Sequence, residues 1–553
     1  MKKRTFILFF CILVLATFVR LWQIGSVPPG LNVDEVSEGY NAYSILKTGK
    51  DRYGMFMPIT FKSYGSYQPP LYTYLTVLPV YIFGSTVFAV KVVSLISGIL
   101  VVIFTFFIIR EFLITKNDKT SLIAALVITI SPWAIFFSRM ATEASVSLTL
   151  FVIGFYLLLR SIKNASFFVL ACLFMGVSTH AYYSERIVSL LFLLGFVVVY
   201  RGKLLSQKKW LLWGLTVFAI TQLPHLFILN SGAFTRRLNQ VSYLSLSSFE
   251  ANGTAFKDIL FGRVMFIVRE FLSQYLTYFS PRSLFFEPDD QVARSIPNLS
   301  VFHIWMIAPW VFGFRYLIKN RGNFLVKNLI ILMLIAPIPA ALSTDPFYTL
   351  RVFVLLWFFS IVISIGSWQL LEKIKSHFLK LFVIFILTIF SLATFYIHYF
   401  ALYKHERGET VNFSSTELIK ITKERADDNF VIDLSRDVAL GIRFAFFREY
   451  NPTLFQSREG APFLDKYYSS VEYEKRYDMY NIEIRPINWE GDVYKSQILV
   501  GDLLAISERQ VNEHKLKLEF EIKDLANNIV LVGYSTDPKA KCLSSPISVY
   551  CKK

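Results

Sequence analysis

Four cysteines in 553 residues are too few for a disulfide framework. Cys11 and Cys172 lie in apolar runs, where packing is their expected role. Cys542 and Cys551 lie in a polar tail, where a bridge between them and two free thiols both remain open, since spacing alone does not fix the geometry. The seven histidines are scattered and none has the spacing of a metal motif. Charge is sparse at 18%, against 54% hydrophobic residues and a mean hydropathy of +0.47. Such a chain could not cover its own apolar surface, which excludes an ordinary soluble enzyme and predicts an integral membrane protein. Internal repeats and low-complexity segments are absent. No small-residue cleavage site follows the first apolar run, so that run is expected to be a retained span rather than a signal peptide.

What the chain has in abundance is apolar runs of bilayer-spanning length. Eleven are expected, around residues 5–24, 86–112, 121–138, 143–160, 166–182, 187–201, 210–229, 300–316, 326–342, 350–370 and 379–402. With a cytoplasmic amino terminus, the connections on that side carry nineteen basic residues, Lys116 among them. Only Glu111, Asp118 and Glu372 oppose them, a net +16 of the formal +17. The positive-inside rule therefore orients the chain. The same spread over short loops argues against nucleic acid as a partner, since the basic residues do not gather on one face.

The unusual polar residues then fall on the other side. The first outer loop, about 25–85, carries Asp34, Glu35 and Glu38; later outer turns carry Arg139 with Glu143, Glu185 with Arg186, and Asp345 with Arg351. A long loop, about 230–299, holds an amphipathic stretch from Phe261 to Phe279 and the cluster from Arg282 to Asp290. After about residue 403 charge rises and apolar runs shorten, predicting a separate soluble α/β domain over 403–553, beside a transmembrane domain over 1–402. Helix is expected over Ser415–Ala426, with strands over Phe430–Leu434, around Leu516–Ile522 and over Asn528–Tyr534.

An adjacent Asp34-Glu35 pair on a loop is by itself a helix cap or a solvated turn more often than a catalytic pair. Here it follows a span by about ten residues, where a carboxylate at the membrane surface could act as a base. The run PPGLNVDEVSEGYNAYSILKTG, with the later QPPLYTYL, SPWAIFFSRMATEA and TDPFYTLR, resembles polyprenyl-phosphate-sugar-dependent glycosyltransferases. These form the protein O-mannosyltransferase and aminoarabinose transferase superfamily, and the resemblance covers roughly the first 370 residues. It implies a GT-C-like polytopic helical fold and inverting transfer of a sugar from a polyprenyl-phosphate donor to a hydroxyl acceptor on protein, lipid or glycan. It also implies Asp34 as the acid that activates the acceptor, with Glu35 in support.

The leaving lipid phosphate needs fixed cations, for which Arg139, Arg186 and Arg351 are the candidates, each with lipid-headgroup binding as its plainer role. Two positions depart from the family pattern: Tyr348-Thr349 stand where histidine-alanine is common, and Gln68 stands where aminoarabinose-type enzymes have lysine. Tyr40, Tyr43, Tyr64, Tyr67 and Tyr72, with Gln68 and Glu143, are expected to line a substrate groove. Glu287, Asp289 and Asp290 could hold a divalent cation, although a solvated acidic turn is the plainer reading; no cofactor and a metal-independent mechanism are expected. The rival class is a transporter or lipid flippase, which would place ionisable residues near the midplane of repeated halves.

Overall fold

The computed structural model describes residues 2–113, 118–257, 259–433, 435, 437–544 and 549–551. Lys116, Leu434 and residues 545–548, between Cys542 and Cys551, lie outside the described residues. The chain divides into two compact units, the first of residues 1–24, 69–72 and 91–401, the second of 25–68, 73–90 and 402–553.

Among the described residues, eight helices are long and apolar enough to cross a membrane, or nine if one bent pair forms a single span. The chain is a multi-pass membrane protein. Its first helices are α1 (Lys3–Leu21), α2 (Val33–Thr48), α3 (Pro70–Phe83), α4 (Val87–Phe112), α5 (Asp118–Ile130), α6 (Pro132–Ser138), α7 (Glu143–Ser161), α8 (Ser166–Ser178), α9 (Tyr183–Leu205) and α10 (Lys208–Ile228). The bent pair is α5 and α6, which meet at 59°. Ser131 is extended there, with ψ of 129°, because the proline that follows it excludes helical backbone. Two of the eleven expected spans are shorter helices of 13 residues each, α8 and Ile307–Lys319. The second begins late because residues 304–306 form a 3-10 turn.

Close packing in the first unit rests partly on glycine. A Cβ on Gly366 would meet Pro309 O at 1.8 Å and one on Gly313 would meet Val362 O at 2.0 Å, so helices 307–319 and 353–373 approach with their backbones nearly touching. Small residues at such crossings are the usual means of helix association where no hydrophobic drive exists between apolar surfaces.

The second unit is built on a six-stranded sheet of β3 (Phe430–Ile432), β4 (Tyr477–Met479), β5 (Ile482–Ile484), β6 (Ile498–Gly501), β7 (Lys517–Lys523) and β8 (Ile529–Ser535). Its order is β4-β5-β3-β6-β8-β7; β3 pairs in parallel with both β5 and β6, and the other pairs are antiparallel. The helix expected over Ser415–Ala426 runs Phe413–Glu424. Val431, Leu499, Ile506 and Val532 form the core on one side of this sheet.

The first polar loop belongs to this same unit, a grouping that an organisation into 1–402 and 403–553 does not anticipate. Helix α2 packs against helix Leu440–Phe447, and Gly39 has no room for a side chain there: a Cβ would meet Val90 Cγ2 at 2.9 Å and the Phe446 ring at 3.0 Å. The hairpin of β1 (Phe61–Ser63) and β2 (Ser66–Gln68) is fastened by Tyr467, which accepts from Lys62 N at 3.0 Å, while its carbonyl accepts from the Tyr67 hydroxyl at 2.9 Å. Beneath it lies a buried polar cluster. Arg52, fully buried, faces Glu474 at 3.4 Å and donates to the Tyr53 hydroxyl, which donates in turn to Glu474. A buried pair of this kind costs desolvation and is retained only where hydrogen bonds satisfy its members.

Candidate active site

In the second unit the candidate residues begin at the start of α2. Asn32 caps the helix: its side chain accepts from Glu35 N at 2.9 Å, and Glu35 Oε2 accepts from Asn32 N at 2.7 Å. This is a capping box, and it satisfies two of the amides that a helix start leaves without partners. Glu35 is wholly buried in that role. The structure gives Glu35 a structural part as well as the supporting one expected for it, and the Asn-x-x-Glu spacing was the available signal.

Asp34, one residue earlier, is exposed. Its Oδ1 accepts from Gln68 Nε2 at 3.1 Å, and the same amide lies 3.3 Å from the Asp34 carbonyl. Gln68 is buried at the end of β2, so the hairpin holds the amide and the amide holds the carboxylate. Glu38, one turn further along α2, is fully buried. Asp34 and Glu35 lie in the first turn of the helix, at its positive end, where negative charge is favoured; Glu38 lies beyond that turn.

The tyrosines expected to line a groove are mostly committed to packing. Tyr40 and Tyr43 donate to the carbonyls of Tyr450 and Glu449, Tyr67 to those of Tyr467 and Ser470, and Tyr72 is buried with its hydroxyl 3.0 Å from Ser94 Oγ. Tyr64 is half-buried under the Arg52 guanidinium, 4.8 Å from its ring centre. These rings carry large apolar area, and their hydroxyls find partners on burial.

The first unit holds the arginine candidates, and they do not share one environment. Arg139 is fully buried; Nη1 donates to the carbonyls of Val19 and Arg20 at the end of α1, and the guanidinium lies over the rings of Tyr399 and Phe400. That is a helix C-cap, a structural role that accounts for these contacts of Arg139. Arg186 lies over Tyr183 and Phe234, each at 4.6 Å, and donates to Phe234 O.

Arg351 has a different setting. Its guanidinium stacks on the Tyr348 ring at 3.8 Å, and Arg294 stacks on the same ring at 3.4 Å. Each cation has its own carboxylate. Asp289 is buried and receives Arg294 through both oxygens, at 3.2 and 3.1 Å, while also accepting from the amide and hydroxyl of Thr349. Its oxygens are thus spent on protein donors, which corrects the expectation of a solvated turn or a cation ligand. Glu287 pairs instead with Arg282 at 2.6 Å. Among the described residues, Arg351 makes one bond to Asp345, at 3.2 Å, and its Nη2 is buried without a hydrogen-bond partner. Tyr182 lies within electrostatic reach of Tyr348, Arg351, Glu143 and Arg237, which brings Glu143 and Arg351 into one neighbourhood. Burial, reinforced by Tyr348, pushes the Tyr182 phenol well above its usual range. Arg294 is the neighbour that sequence reasoning missed, because nothing local distinguishes it from other charges of a long loop; Asp289 was singled out there only as a cation ligand or part of a solvated turn.

Residues 67–228 match the family model described as dolichyl-phosphate-mannose-protein mannosyltransferase. No curated protein matches the chain. Among solved structures, ArnT from Cupriavidus metallidurans in the apo state is similar at 11% identity and a TM-score of 0.55, over 96% of this chain and 98% of that one. ArnT from the same organism bound to undecaprenyl phosphate gives 12% and 0.54 over the same shares. The archaeal oligosaccharyltransferase AglB from Archaeoglobus fulgidus, in complex with an inhibitory peptide and a dolichol-phosphate, gives 12% and 0.49 over 97% of this chain and 74% of that one. The chain thus has the GT-C fold of ArnT, and over residues 67–228 it resembles the dolichyl-phosphate-mannose-protein mannosyltransferases.

Proposed function

We propose that this protein transfers a sugar from a polyprenyl-phosphate-linked donor to a hydroxyl acceptor at the outer face of the membrane. The observation that carries the reading is an exposed Asp34 braced by Gln68 at the start of a capped helix, in a chain with the fold of ArnT. An alcohol is a poor nucleophile at neutral pH. A positioned carboxylate that takes its proton as the new bond forms contributes about 10²–10⁴-fold. The acceptor oxygen attacks the anomeric carbon, the bond to the phosphate oxygen breaks, and the polyprenyl phosphate leaves with the electron pair. One displacement inverts the anomeric configuration. Charge grows on the phosphate as it leaves and calls for a fixed cation; within the first unit, Arg351, whose Nη2 is buried with no hydrogen-bond partner among the described residues, is the candidate. Protein, lipid and glycan hydroxyls are all compatible acceptors.

The orientation follows from charge: the basic loops stay in the cytoplasm, and the sheet-containing unit and its acidic loop face outward. The test uses the purified full chain, an undecaprenyl-phosphate-linked sugar and a hydroxyl-bearing acceptor peptide, lipid or glycan. Product with inverted configuration from the parent, and a loss of about 10²–10⁴-fold in turnover with folding retained in Asp34→Asn, is the expected result. Parental turnover in Asp34→Asn overturns the base assignment, and retained configuration overturns the single displacement.

A further inference from the structure

The two arginines that bracket Tyr348 differ in how their charge is met. Arg294 is closed: its carboxylate is buried, holds it through two bonds, and is itself held by Thr349. Arg351 is open on two counts. Its Nη2 has no hydrogen-bond partner although the residue is only 9% exposed, and its single carboxylate, Asp345, is 34% exposed on a turn of its own. Two guanidiniums 3.4 and 3.8 Å from the centre of one ring repel each other, which favours a counter-charge on Arg351 when no ligand is present.

We infer that Asp345 is a displaceable counter-ion: it holds Arg351 when the site is empty, yields it to the phosphate of the polyprenyl lipid, and returns to help expel the product. This rests on the reading that Arg351 receives that phosphate. The asymmetry in charge between the two lipids gives the device its purpose. The donor is a phosphodiester with one negative charge. The product is a monoester that carries nearly two at neutral pH, and a guanidinium holds it more tightly. Without a competitor, product release would be slowed by the same contact that assists the reaction. A carboxylate that is partly solvated, and bonded once, competes only weakly, which allows the lipid to enter. Asp289, buried and bonded through both oxygens, keeps Arg294 and the Tyr348 ring in place throughout; Arg294 is a positioning residue here and has no phosphate to hold.

The experiment measures binding of undecaprenyl phosphate to the full chain in nanodiscs, together with steady-state transfer, for the parent, Asp345→Asn, Asp345→Ala and Arg351→Ala. Removing the competitor should tighten binding by about 3–10-fold, the range of a partly exposed ion pair to a desolvated group. Turnover at saturating donor should fall in parallel, with stronger inhibition by added undecaprenyl phosphate. A residue that merely shaped the turn would weaken binding when altered. Weaker or unchanged binding in both Asp345 variants, with Arg351→Ala still impaired, overturns the role of Asp345 and leaves that of Arg351. Unchanged binding in Arg351→Ala overturns the phosphate assignment itself, and the counter-ion role with it. Tighter binding in only the alanine variant would mean that volume and not charge was removed, and also overturns the inference.

Discussion

Gln68 donates to the Asp34 carboxylate across 34 residues of sequence, at 3.1 Å, from a buried position at the end of the hairpin. A neutral amide at this point fixes the orientation of the acid without supplying a charge to neutralise it. Lysine, which the family resemblance would have placed there, would form an ion pair and hold the carboxylate ionised more strongly. Gln68→Leu conserves most of the volume and removes the donor. It should lower turnover by about 3–30-fold, less than Asp34→Asn, because the base is misoriented but present. Gln68→Glu, which sets a second carboxylate against the first, should be worse than Gln68→Leu. Steady-state kinetics of the two variants, with thermal unfolding as a folding control, check the order. The reverse order would remove orientation of Asp34 from the account of Gln68.

Glu35 is expected to separate cleanly from Asp34. Its carboxylate closes the capping box with Asn32, and glutamine can make the same bond to the Asn32 amide. Glu35→Gln should therefore keep both stability and transfer within about threefold of the parent. Glu35→Ala should cost about 1 kcal/mol of stability through the lost cap. Thermal unfolding and turnover of the two variants decide it; a collapse of turnover in Glu35→Gln with unchanged stability would restore a chemical role to Glu35.

The parts of this architecture that sequence made legible are those with short-range causes. Apolar runs placed most of the long helices, because a bilayer demands continuous hydrophobic segments of a given length. The run 121–138 broke where Ser131-Pro132 required it, a break visible in the sequence but submerged in the overall hydropathy. The loop carboxylates were singled out as candidates because three acids between apolar runs are conspicuous. What was not legible is long-range. The Tyr53 hydroxyl meets Glu474 across 421 residues, and Tyr40 meets the carbonyl of Tyr450 across 410. No periodicity in the loop signals that its tyrosines serve a sheet far along the chain. Arg294 and Arg351 likewise stack on the one ring of Tyr348 from different loops, and composition cannot distinguish a stacked arginine from one that meets lipid headgroups.

Cys542 and Cys551 are joined by a disulfide, the bridged reading of a pair that sequence left open. On the proposed orientation, with the sheet-containing unit facing outward, an impermeant maleimide applied to intact cells should label neither cysteine until a reductant is added, and then label both. Cys11 on α1 and buried Cys172 on α8 make variants of these two the natural background controls. Labelling before reduction would show free thiols, and labelling only after lysis would reverse the orientation that the basic loops imply.

Asp51 gives the polar loop a pH dependence whose sign can be worked out. Its carboxyl is fully buried; Oδ1 accepts from the amides of Tyr53 and Met55, and Oδ2 accepts from the Tyr467 hydroxyl. Burial pushes it up to about 6, with the Tyr467 bond, the two amides and nearby Arg52 opposing the rise. A carboxyl that binds its proton more tightly folded than unfolded contributes stability that is fully present below the unfolded value of 3.8. That contribution is lost as pH rises through about 6. The difference corresponds to at most about 3 kcal/mol. Amide hydrogen exchange over residues 50–68 of the full chain, corrected for the intrinsic rate, should thus show greater protection at pH 5 than at pH 7.5. In Asp51→Asn the side-chain oxygen can still accept the two amides and the amide group can donate to Tyr467. The dependence between these pH values should then largely vanish, while protection at pH 7.5 rises toward that of the parent at pH 5. Protection in the parent that instead increased from pH 5 to pH 7.5 would mean that Asp51 is stabilised as its anion, and that Arg52 rather than burial governs it.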